Sequence, residues 1–71
     1  MADDLFAFAD VLEARDALWA AEAERDEAKE RVLRATRPCQ AEAWANYRQA
    51  TANAIAADAR YRELLTREAK R

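Results

Sequence analysis

Pro38 is the one residue in this chain that forbids a helix from running through it, and it stands near the middle of 71 residues that include no glycine. Proline has no backbone N–H, and its ring collides with the carbonyl four residues earlier, so a helix ends before it. The same residue fits the first turn of a new helix. On both sides of Pro38 alanine dominates, with Arg, Glu and Leu supplying much of the rest. These are the strongest helix formers. β-Branched residues are few and no Asn-Gly or Asp-Gly turn occurs, which disfavours a sheet. The expectation is an all-α chain: a single helical hairpin over 1–71, with helix one at about 4–36, a turn at about 36–38 and helix two at about 38–68. So short a connection makes the helices antiparallel neighbours.

The apolar pattern supports that pairing. In helix one, Val11, Ala14, Leu18, Ala21, Ala28 and Val32 recur at alternating spacings of four and three, with Arg25 in the same register. In helix two, Tyr47, Ala54, Ala57, Tyr61 and Leu64 do the same, together with Ala43 and Ala50. Folding the chain at Pro38 pairs residues whose numbers sum to about 75, so Val32 meets Ala43, Ala28 meets Tyr47, Leu18 meets Ala57 and Val11 meets Leu64. Large residues mostly face alanines, the complementarity an alanine-rich coiled-coil seam needs for close approach. Charge agrees. Residues 1–35 carry ten acids and five bases, net −5; residues 36–71 carry seven bases and four acids, net +3. An antiparallel fold lays the acidic start (Asp3, Asp4, Asp10) beside the basic end (Arg60, Arg67, Lys70, Arg71).

The seam leaves most of the large apolar residues unused. Leu5, Phe8, Leu12, Trp19 and Leu33 occupy one flank of helix one, and Trp44, Ile55 and Leu65 occupy the matching flank of helix two. The opposite flank reads Asp10, Glu13, Glu24, Glu27, Asn46, Gln49, Asn53 and Arg60, with Phe6 as an exception. Two tryptophans on one open face exceed the apolar patch a soluble monomer usually carries. Alanine buries little area, so a lone hairpin has a thin core and calls for completion by oligomerisation or by docking into a larger helical assembly. The eight flank residues are therefore the candidate partner interface.

Chemistry finds little foothold. No histidine is present and Cys39 is the single cysteine, which excludes Cys-His catalysis and an internal disulfide and argues against a metal site or any cofactor. Cys39 reads as structural, with an intermolecular disulfide or redox role as its functional alternative. Glu22, Asp26 and Glu30 share a helix face, but interleaved Arg25, Lys29, Arg31 and Arg34 make ion pairing the plainer reading. Arg25 should reach Glu22 or Asp26, and Arg15 is within range of Asp58 on the polar rim of the apolar flank. Arg60, Arg62, Arg67, Lys70 and Arg71 offer a phosphate-binding surface, diluted by Glu63 and Glu68 on a chain of net charge −2.

The expected function is that of a non-enzymatic structural or interaction subunit that self-associates or docks through its apolar flank, with no small-molecule substrate. An acidic start and the lack of a long apolar run suggest a cytoplasmic protein with no membrane association. Ten of the twelve basic residues are Arg, and with abundant Ala this points to a GC-rich bacterium or one of its phages, where the chain would join a particle or complex. The alternative is a nucleic-acid partner. In overall architecture the expected hairpin resembles the small plasmid-encoded RNA-binding hairpin dimers, which also use alanine-rich seams. That resemblance implies a four-helix homodimer binding RNA or DNA; it extends to architecture alone and includes no shared binding motif.

Overall fold

The computed structural model describes the backbone of residues 2–70 and the side chains of residues 8–70. Two helices pack against each other as a hairpin: α1, Ala2–Arg34, and α2, Arg37–Ala69. The described residues contain no strand. The molecule is a rod of 56 × 15 × 12 Å, close to the ~50 Å that a helix of this length spans at 1.5 Å per residue.

The turn is tight, and its chemistry follows from Pro38. A helix continuing past Arg34 would need an N–H at position 38 to bond the Arg34 carbonyl, and proline has none. α1 accordingly ends at Arg34, and Ala35 and Thr36 make the connection. The residue in extended geometry is Thr36, at φ −77° and ψ 162°, and Arg37 already belongs to α2. Pro38 then lies in the first turn of α2, where its missing N–H leaves no helical bond unmade. Thr36 caps α2 without using its side chain; its carbonyl accepts from the Cys39 N–H at 2.9 Å, while the Ala35 N–H donates to the Val32 carbonyl at 3.3 Å. Arg31 and Arg34 in the last turn of α1, and Arg67 in that of α2, meet the negative end of each helix dipole.

Between the helices, Val11, Ala14, Leu18 and Ala28 of α1 are buried with Ala43, Ala50 and Ala54 of α2. Ala21, Val32, Tyr47, Ala57, Tyr61 and Leu64 are half-buried beside them, as is Arg25. Surface clefts show neighbours across the seam: Ala14 and Ala17 line one with Ala57 and Arg60, and Ala28 lines another with Asn46 and Ala50. No described side chain is completely shielded from solvent. The reason is geometric, since two helices touch along one line and every seam residue has solvent on one side.

Candidate functional site

The flank carrying the large apolar residues is open. Trp19 is 57 % exposed, Trp44 46 %, Phe8 59 %, Leu33 72 %, Ile55 66 % and Leu65 42 %. Leu12 is half-buried, and Leu5 lies outside the residues whose side chains are described, as does Phe6. Among the described residues six large hydrophobic side chains thus stay in solvent, while the buried hydrophobic residues number seven and five of those are alanines.

Both tryptophans are held by a neighbour on their own helix. The Arg15 guanidinium sits 4.5 Å above the Trp19 ring, a cation–π contact worth ~0.5–1 kcal/mol at exposed sites. Trp44 meets the half-buried Tyr47 edge to face, centroids 6.0 Å apart at 81°, which ties it to the seam. These are pairs at i, i+4 and i, i+3, spacings that bring side chains together on a helix. The sequence reading missed both contacts, although the spacing was visible in it. Arg15 also corrects an expectation: its second partner is Asp16 at 3.2 Å, while Asp58 is engaged by Arg62 at 3.0 Å. Arg25 turns to Asp26, with its Nε and Nη2 donating over 3.4 and 3.3 Å.

Several polar groups elsewhere pair along their own helix. Glu27–Arg31, Glu30–Arg34, Asp58–Arg62 and Glu63–Arg67 are all i, i+4 pairs with the acid nearer the N-terminus, the orientation that favours an isolated helix. Gln49 donates to Asn53 at 3.0 Å on the flank opposite the tryptophans. Arg60 lines a cleft with Asp10 and Glu13, which sets basic residues of α2 beside acidic residues of α1. Arg71 lies outside the described residues. Among the described residues no cluster of acidic or thiol ligands converges in a way that would hold a metal ion. Cys39 is free and exposed at the turn end, in a shallow cleft with Arg31, Arg34 and Glu42. No described helix is long and apolar enough to cross a membrane.

Comparison with protein-family models, with curated proteins and with solved structures gives no match to this chain. The reading of the flank therefore rests on its own chemistry.

Proposed function

We propose that the chain is a non-enzymatic interaction subunit: a rigid helical rod that docks through the Trp19/Trp44 flank onto another protein surface in a larger assembly, of bacterial or phage origin. The observation that carries this reading is the inversion of bulk. Six large side chains stand open on the flank, whereas five of the seven buried hydrophobic residues described are alanines. Tryptophans pre-positioned by neighbours lose less freedom on binding than mobile ones, which suits them to anchor an interface. Arg15, Asp58 and Arg62 supply the polar rim.

A nucleic-acid partner is the weaker reading. Arg62 and Arg67 are engaged by Asp58 and Glu63, and the chain is net acidic. A salt-dependent mobility shift of an RNA or DNA probe would reverse that order.

The docking reading is tested by Trp19→Ala and Trp44→Ala, with association measured by light scattering and helix content by circular dichroism on the same samples. Each change should weaken association by ~2–4 kcal/mol while helicity at high concentration is retained. Helicity lost at concentrations where the variant is still associated would mean that the tryptophans hold the hairpin itself.

A further inference from the structure

We propose that the flank is covered by a second copy of this chain, lying antiparallel to the first about a two-fold axis at the level of Trp19 and Ile55, so that two hairpins form a four-helix bundle. The inference rests on the docking reading of the same flank and commits it to one occupant.

Area is the first support. Taking full side chains at about 150–250 Å² for the aromatics and somewhat less for Leu and Ile, with the observed exposures, the six open side chains present roughly 500–700 Å². A standard stable interface buries about 800 Å² per partner. One copy of the flank therefore supplies most of what the other needs.

Layout is the second. The register sets Phe8 and Leu65 near the open end of the rod, Leu33 and Trp44 near the turn, and Trp19 and Ile55 between them. Phe8 and Leu33 stand about equally far from the level of Trp19 and Ile55, and so do Leu65 and Trp44. A two-fold axis there carries each apolar end onto the other and leaves Trp19 and Ile55 facing their own copies at the centre. Such an interface is isologous and closes on itself, with its bulkiest anchor where binding energy concentrates.

Charge does not oppose the pairing. The flank interleaves Arg15, Lys29, Arg48 and Arg62 with Glu22, Asp26 and Asp58, four bases against three acids, so two copies do not repel as wholes. The antiparallel rotation brings Arg48 of one copy near the height of Asp58 of the other and, equally, Arg15 near the height of Lys29, so charge permits the bundle while area and layout select it.

Cys39, single and exposed at the turn end, makes the geometry measurable. A spin label on it reports the distance between turn ends by electron–electron double resonance in the full chain. A second protein carries Cys39→Ser and Ala56→Cys, with its label on an exposed position level with the proposed axis. Antiparallel pairing predicts Cys39 labels about 45 Å apart, thirty residue heights at 1.5 Å each. It predicts Ala56→Cys labels within about 25 Å, the width of two helix layers. Trp19→Ala and Trp44→Ala should each raise the dimer dissociation constant at least about 30-fold. Short distances at both sites would mean parallel pairing and overturn the proposal while leaving the docking face in place. A helical monomer without dipolar signal at 100-fold varied concentration would overturn the second copy and assign the flank to a different protein. A dimer indifferent to both tryptophan substitutions would overturn the proposal and the docking reading together.

Discussion

Ala54 is the most buried side chain described, at 4 % exposure, and its value lies in being small. It lets the helices approach closely where a larger residue would hold them apart. Ala54→Leu should lower stability by about 1–3 kcal/mol through overpacking, whereas Ala20→Leu, on an exposed position of α1, should change it by no more than about 0.5 kcal/mol. Thermal unfolding followed by circular dichroism compares the two. Equal effects would mean that the seam is loose enough to admit a leucine. Residues of this kind were legible in the sequence because alternating four–three spacing is a property of the helix alone. Arg15 was not. Its spacing allowed it to reach across to Asp58 or along its own helix to Trp19; the guanidinium lies over the ring, and Asp58 is held by Arg62. Periodicity shows both spacings as acceptable and does not choose between them.

For the elements, the break between α1 and α2 was legible from Pro38, but its placement was not resolved to the residue. Proline's steric clash acts four residues upstream, at Arg34, and its own position is helical, so the extended residue falls on Thr36. Pro38→Ala would return the missing donor to the Arg34 carbonyl and remove the barrier to one continuous helix. The expected outcome is a population of opened rods, read as lost energy transfer between dyes at positions 10 and 60. Unchanged transfer would place the hold on the hairpin in the seam and not in the turn. The i, i+4 ion pairs contribute at the same scale and weakly. Glu27→Gln should cost about 0.3–0.5 kcal/mol, a loss that high salt in the wild type should reproduce.

Taken whole, the molecule is a rod with a thin seam and a heavy flank. Two helices of mostly alanine contact bury too little large apolar surface to account for a stable small domain by themselves, and six of the chain's largest side chains remain in solvent. The flank could be found in the sequence because its residues keep the seam's periodicity at a neighbouring heptad position. What covers it could not, because a single chain encodes only its own half of an interface. The proposed account is that covering this flank completes the fold and constitutes the function. Light scattering with circular dichroism on the purified chain, across a hundredfold range of concentration, tests that most directly. The account predicts a particle of about two chains whose helix content falls as dilution separates it; a fully helical 8.1 kDa monomer at every concentration would contradict it.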